Sequence, residues 1–215
     1  EGSTSLHIGE KNYAVNAGLK SLNSHLARIN ANASAEVVYG SQYRVKWNLD
    51  KVRPLVSIII PFKDQVELLE VCLEGILNRT NYQNFEVILI NNNSEESVTK
   101  EFLERIQSHD KIKILSFAGS FNYSAINNFG VTQCQGEIIA LVNNDVKVIA
   151  PDWLEEMVSQ TMRSEIGAVG AKLYYEDNTI QHAGVVLGIH GVAGHIHKDI
   201  PKDNLGYFAR AALTQ

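Results

Sequence analysis

From Leu55 onward the chain alternates short apolar runs of strand length with segments of helical period, leaving little loop between them. Val56-Ser57-Ile58-Ile59-Ile60-Pro61 reads as a first strand, stopped by its proline, and Phe85 to Ile90 as a second. Ile112 to Phe117 gives a third, shorter strand, and Glu137 to Val142 a fourth. Between them, Val66, Leu69, Leu73, Ile76 and Leu77 share one helical face, and Val98, Phe102, Leu103 and Ile106 another. Tyr123 to Gln135 reads as a further helix ended by Gly136, and Trp153 to Met162 as the next. Asp152 is the expected N-cap of that last helix, with Glu155 closing a capping box. Runs that are apolar throughout suit strands buried on both faces of a parallel sheet. Their alternation with helices implies an α/β fold, a mainly parallel sheet with helices on both faces.

This topology decides where function belongs. Right-handed crossovers bring the ends of the first, second and fourth strands to one edge. In open sheets of this kind, ligands sit beyond the carboxyl ends of the strands. The polar clusters fall there: Pro61-Phe62-Lys63-Asp64, Asn91 to Ser94, and Asn143-Asn144-Asp145. Asn and Ser supply both donors and acceptors, as a nucleobase and ribose require. A lone carboxylate such as Asp145 can hold a divalent cation through oxygen ligands. Taken alone, Asn-Asn-Asp is as well read as a solvated turn; three polar tips on one rim favour a pocket. Lys63 is either a phosphate contact or a solvated loop lysine. Trp153 reads as core, and Tyr123 as core or as a stacking ring. No G-x-G-x-x-G follows the first strand and no G-x-x-x-x-G-K-[ST] occurs, which argues against a dinucleotide dehydrogenase and a P-loop hydrolase.

The first fifty-odd residues follow another pattern. Val15, Leu19, Leu22, Leu26 and Ile29 mark one face of an amphipathic helix, which must dock on the main domain, a neighbouring domain or a second chain. Glu36 to Tyr39 and Gln42 to Trp47 flank Gly40-Ser41 as a small hairpin, and Asn48 to Pro54 reads as a polar linker. The expected organisation is an appendage over residues 1–53 and a main domain over 54–215. The net charge of −5, with no basic block, offers nothing to nucleic acid or to an anionic membrane. Cys72 and Cys134 lie far apart inside helical patterns, which fits buried thiols in a reducing compartment better than a disulfide. The sequence opens Glu-Gly-Ser rather than with Met, so a piece of a longer chain is expected. His195-x-His197 would present two imidazoles on one strand face, near His182 and His190 in sequence. A zinc site wants four well-placed ligands, so loop or strand surface is the better reading.

Four motifs carry a resemblance. Ser57-Ile-Ile-Ile-Pro61, Ile90-Asn-Asn-Asn-Ser94, Phe121-Asn-Tyr-Ser-Ala-Ile-Asn-Asn-Phe-Gly130 and Leu141-Val-Asn-Asn-Asp145 occur in order. In sequence and spacing the stretch from Leu55 to Leu187 resembles the family 2 glycosyltransferases, inverting enzymes with the Rossmann-like GT-A fold that binds nucleotide-diphosphate sugars. It is most similar to bacterial enzymes that build O-antigen and other surface polysaccharides, where a glycine-rich segment like Gln181 to Gly188 also follows the metal-motif helix. The N-terminal part resembles a tail joining one such domain to the next, which implies a tandem enzyme with neighbouring domains as partners.

The resemblance implies roles residue by residue. Pro61, Phe62, Lys63 and Asp64 would line the base pocket. Asn92 stands where the family usually has an Asp that reads the base edge, and Ser94 lies beside it. Asn122 and Asn128 would pack beside the nucleotide. Asn144 and Asp145 occupy the family's Asp-x-Asp position with Asn143 just before, both Asn counted with the donor nucleotide site, and only Asp145 keeps a carboxylate, to hold Mg2+ or Mn2+ against the diphosphate. His182, apart from the resemblance, reads as loop or strand surface, with a place near the sugar or diphosphate as the alternative. The general base is expected beyond Gln215, since Asp177, Asp199 and Asp203 sit in no matching motif. The acceptor would be a saccharide or lipid-linked saccharide, no nucleic acid is expected, and the location would be cytoplasmic or peripheral at the inner face of the plasma membrane. The alternatives are a non-catalytic nucleotide- or carbohydrate-binding module and a sugar nucleotidyltransferase. The latter would need a basic, glycine-rich loop that Pro61 to Asp64 does not supply.

Overall fold

The computed structural model describes residues 12–49, 51, 53–188 and 191–212, so Asp50 and Val52 of the expected linker, His190 and Gln215 lie outside the described residues. In chain order the elements are α1 (Asn12–Arg28), β1 (Ala33–Val38), β2 (Gln42–Trp47), β3 (Val56–Phe62) and α2 (Val66–Arg79). Next come β4 (Phe85–Asn91), α3 (Ser97–Ile106), β5 (Ile112–Ser116), α4 (Tyr123–Val131), β6 (Ile138–Leu141) and α5 (Trp153–Thr161). Four short strands follow, β7 (Leu173–Tyr174), β8 (Ile180–His182), β9 (Val185–Leu187) and β10 (Ala193–His195). The chain divides into two compact units, Lys51–Val158 and Glu1–Asp50 with Ser159–Gln215.

The Lys51–Val158 unit holds a four-stranded sheet in the order β5-β4-β3-β6, parallel throughout. Val56 to Ile60 and Val87 to Ile90 are fully buried, because β3 and β4 are the inner strands and both faces are covered. On one face Ile59, Ile88 and Ile90 pack with Ile126 of α4, joined by Leu115, Phe117 and Phe129. Ile58 and Ile60 point to the other face and are equally buried. Each such side chain contributes about 1.5–3 kcal/mol of burial free energy.

Several local expectations change. β6 runs only from Ile138 to Leu141 and is an edge strand, with the alternating burial of a strand covered on one face. Ile139 and Leu141 are exposed, contrary to the doubly buried strand expected there. α4 stops at Val131 rather than Gln135, leaving Cys134 beyond the helix and half-buried, whereas Cys72 is buried in α2; both thiols are free. On α3, Phe102 and Thr99 face the core while Val98 is exposed. Glu155 pairs with the Arg53 guanidinium at 2.7 Å instead of serving the expected capping box. Trp153 is half-buried and donates its indole N–H to Thr80 Oγ1 at 2.9 Å.

In the other unit β1 and β2 form the antiparallel hairpin read from the sequence. The apolar face of α1 lies against this hairpin. Tyr43 donates its hydroxyl to Val15 O at 3.0 Å, and its ring fills the space left by Gly18. Asn23 brackets Ala35, donating to its carbonyl at 3.2 Å and accepting from its N–H at 2.9 Å. Leu26 is buried, while Ile29 lies past the helix end and is exposed. β7 pairs with β8 and β9 with β10, each antiparallel.

Candidate functional site

At the carboxyl edge of the β3–β4 pair the backbone is strained. Asp64, Gln65 and Asn93 all have left-handed φ, at 51°, 57° and 59°. Such a conformation for a non-glycine residue costs on the order of 1–3 kcal/mol and persists only where its surroundings impose it. The surroundings are visible. The Asp64 carboxylate accepts from Glu95 N, Glu96 N and Thr99 Oγ1, each at 3.1 Å, and so pins the chain entering α3. Asp64 N donates to Ser94 Oγ at 2.8 Å, and Ser94 N to Asn91 Oδ1 at 2.9 Å. Desolvation pulls the Asp64 carboxyl upward, but hydrogen bonds from Glu96, Glu95 and Thr99 outweigh it and hold the group below its ordinary value. Lys63 is exposed and only loosely paired with Glu95 at 4.0 Å, which leaves its ammonium able to turn to an anion. Pro61 is half-buried and Phe62 buried.

The tip of β4 is tied to the chain that follows β5. Asn92 is 4% exposed, and its amide donates to Phe117 O at 3.1 Å and Gly119 O at 2.8 Å. Asn93 adds a bond to Gly119 O at 3.1 Å. Asn122 caps α4, its side chain accepting from Ala125 N at 3.0 Å, while Asn128 is exposed on the same helix. The sequence reading passed over Asn127. It is buried, donates to Tyr123 O at 2.8 Å, and leaves Oδ1 sealed without a partner. Phe129, two residues on, leans on Phe117 with ring centroids 5.6 Å apart. The available signal was a polar residue between Ile126 and Gly130, on the inward side of the helix.

Beyond β6, Asn143 and Asp145 are exposed and Asn144 is half-buried. The loop rests on α2, where the Cys72 thiol donates to Asn143 O at 3.6 Å. Burial, with the Asp145 charge adding to it, pushes that thiol up to about 12. Cys72 is therefore a buried, protonated thiol beneath the loop. What the loop offers outward is oxygen: one carboxylate and two amide carbonyls. That donor set fits a hard cation such as Mg2+ or Mn2+, with phosphate oxygens and water completing the shell. Among the described residues no group of three or more His, Cys, Asp and Glu side chains could hold a metal.

The histidines meet differently from the expected strand face. His182 and His195 bring their Nδ1 atoms to 2.8 Å, with rings nearly perpendicular. β10 ends at His195, and His197 turns into left-handed backbone with Nδ1 buried and unpartnered. Asp177 holds its own turn, accepting from Thr179 N at 2.9 Å and Thr179 Oγ1 at 2.7 Å.

A parallel α/β unit whose polar strand tips gather at one carboxyl edge has the architecture of folds that take their ligands there. The chain belongs to glycosyl transferase family 2, whose model matches residues 57–198. It is 49% identical over its whole length to Uncharacterized protein y4gI of Sinorhizobium fredii, spanning 24% of that protein. It is 43% identical over 88% of its length to the O-antigen biosynthesis protein RfbC of Myxococcus xanthus, spanning 15% of it. The fold is the GT-A architecture, similar to mannosyltransferase PcManGT from Pyrobaculum calidifontis, solved in complex with GDP-Man and Mn2+. That match has a TM-score of 0.50 at 16% identity, over 72% of this chain and 45% of the other, and is a likeness of fold.

Proposed function

We propose that the rim of the Lys51–Val158 unit binds a nucleotide-diphosphate sugar for inverting transfer to a saccharide or lipid-linked saccharide, in the synthesis of a surface polysaccharide such as O-antigen. The observation that carries this is the exposed Asp145 carboxylate on the same edge as the strained β3 and β4 tips. Family membership and the O-antigen protein among the relatives support it. Asp145, with Asn143 and Asn144, would hold Mg2+ or Mn2+. The bound cation would act as a Lewis acid, offsetting charge on the departing nucleoside diphosphate. Lys63 reaches toward the phosphates, and Pro61, Asn92 and Ser94 line the side away from them. Inverting transfer also needs a base for the acceptor hydroxyl. Neither rim carboxylate serves: Asp64 is committed to α3 and Asp145 to the cation. A cytoplasmic place, or one at the inner face of the plasma membrane, goes with a nucleotide-sugar donor.

Calorimetric titration with UDP, GDP and dTDP, with and without Mn2+, tests the reading. One nucleotide should bind in a Mn2+-dependent way, and Asp145→Ala should weaken it at least tenfold. Equal binding by Asp145→Ala would remove the rim from the metal site.

A further inference from the structure

Asp145 is carried by a tight turn that is held on both sides. Before it, Val142 N donates to Ile59 O of β3 at 3.0 Å. Val146 N then donates to Asn143 O at 3.4 Å and closes a four-residue turn, with Asn144 and Asp145 as its central pair. After it, Val148 is 6% exposed and lies over Gly75 of α2. A Cβ on Gly75 would stand 3.1 Å from the Val148 Cβ and 3.3 Å from its N, so only glycine lets the helix come this close. The Asp145 side chain is therefore exposed on a turn whose two feet are fixed.

The bond that closes the turn is long for an N–H and a carbonyl, and a third group meets it. Cys72 lies three residues before Gly75 on the same helix. Its thiol donates to Asn143 O at 3.6 Å, and the Val146 N–H hydrogen-bonds the sulfur. One buried side chain thus serves both ends of the turn. Asn and Asp side chains offer nearby backbone groups competing hydrogen bonds, so a bare Asn-Asn-Asp turn has several local arrangements open to it. With its carbonyl and its N–H both taken from α2, the turn keeps one.

We infer that Cys72 is a positioning residue for the metal site: by bridging the two ends of the 143–146 turn, its thiol sets the direction in which the Asp145 carboxylate meets the cation. It acts through Asp145 and touches neither cation nor nucleotide. This rests on the donor-site reading above, and the test separates the two.

Cys72→Val keeps the bulk of the side chain and removes the S–H, whereas Cys72→Ser keeps a donor on the same stem. Both are titrated with UDP, GDP and dTDP, with and without Mn2+, beside the unaltered chain and Asp145→Ala. The quantity read is the factor by which Mn2+ strengthens binding of the tightest nucleotide. Cys72→Val should cut that factor about tenfold, as loss of a group that orients a metal ligand does, and leave the metal-free affinity unchanged. Cys72→Ser should regain part of it. Added to Asp145→Ala, Cys72→Val should cause no further loss, because the two residues act as one unit. If Cys72→Val does not fold, Cys72→Ala takes its place in each comparison. An undiminished Mn2+ factor, an equal fall with and without Mn2+, or a serine no better than valine overturns the assignment and spares the donor site. A Mn2+ factor that survives Asp145→Ala sinks both, as does the absence of nucleotide binding.

Discussion

Asp64 stands at the β3 rim and also holds the start of α3. The sequence puts it at the tip of β3, where a ligand is expected. Its partners are backbone amides thirty-odd residues later, at Glu95 and Glu96, and no local pattern announces them. Its carboxylate pins the chain entering α3 from another element. Asp64→Ala should lower the thermal midpoint by a few degrees, and Asp64→Asn by less, because an amide oxygen still accepts. The acid dependence has a definite sign. The folded pKa is held below the ordinary 3.8, so the contribution is whole above that value and fades as the pH falls through the lower folded one. Thermal scans of wild type and Asp64→Ala should therefore draw together as the pH falls below 3.8. Cys72 gives a second residue-scale expectation. With its thiol pushed up to about 12, it should resist iodoacetamide at pH 8 in the folded chain and react once unfolded.

At the scale of elements, the hydrophobic period placed the sheet strands and the helices between them but not all their ends, and the reasons are tertiary. An apolar run marks a strand without saying whether it is central, which is why β6 was expected to be buried on both faces. Gly136 was read as the residue that stops α4. In the fold its role is a close approach to β3: a Cβ there would stand 2.6 Å from Ser57 N and 2.7 Å from Leu55 O. The helix ends earlier so that the chain can make that contact. Backbone atoms of an inner strand cannot retreat, so Gly136→Ala should cost about 2 kcal/mol or more in urea unfolding. Gly130→Ala meets only the ends of Ile90 and Ile59 side chains and should cost less. The pairing of His182 with His195 was likewise invisible, since β8 and β10 belong to different hairpins. Burial, then the neighbouring His195, lowers the His182 pKa below 6.5. The unfolded chain thus binds more protons, and stability should fall as the pH drops below about 6.5. Protection factors for the amides of Ile180–His182 and Ala193–His195, corrected for intrinsic exchange, should be lower at pH 5.5 than at pH 7.5. His182→Asn should flatten that difference.

For the whole molecule, the class of fold and the rim were legible because parallel topology forces polar strand tips together. What each tip does depends on contacts across strands, which is why the buried Asn127 escaped notice. The same topology predicts a coupling. One carboxylate is too little to hold Mg2+ or Mn2+ firmly, and a diphosphate placed beside Asp145 without a cation meets its negative charge. Each ligand alone should therefore bind weakly, and each should strengthen the other by the same factor, as linkage requires. A ligand that binds only the folded state adds about 2.7 kcal/mol at a hundred times its Kd. In a matrix of thermal midpoints, Mn2+ alone and the preferred nucleotide alone should each give small shifts. Together they should give a shift well beyond the sum, and Asp145→Asn should reduce it to the sum. Additive shifts in the unaltered chain would mean that cation and nucleotide occupy separate places, and the shared rim site would have to be abandoned.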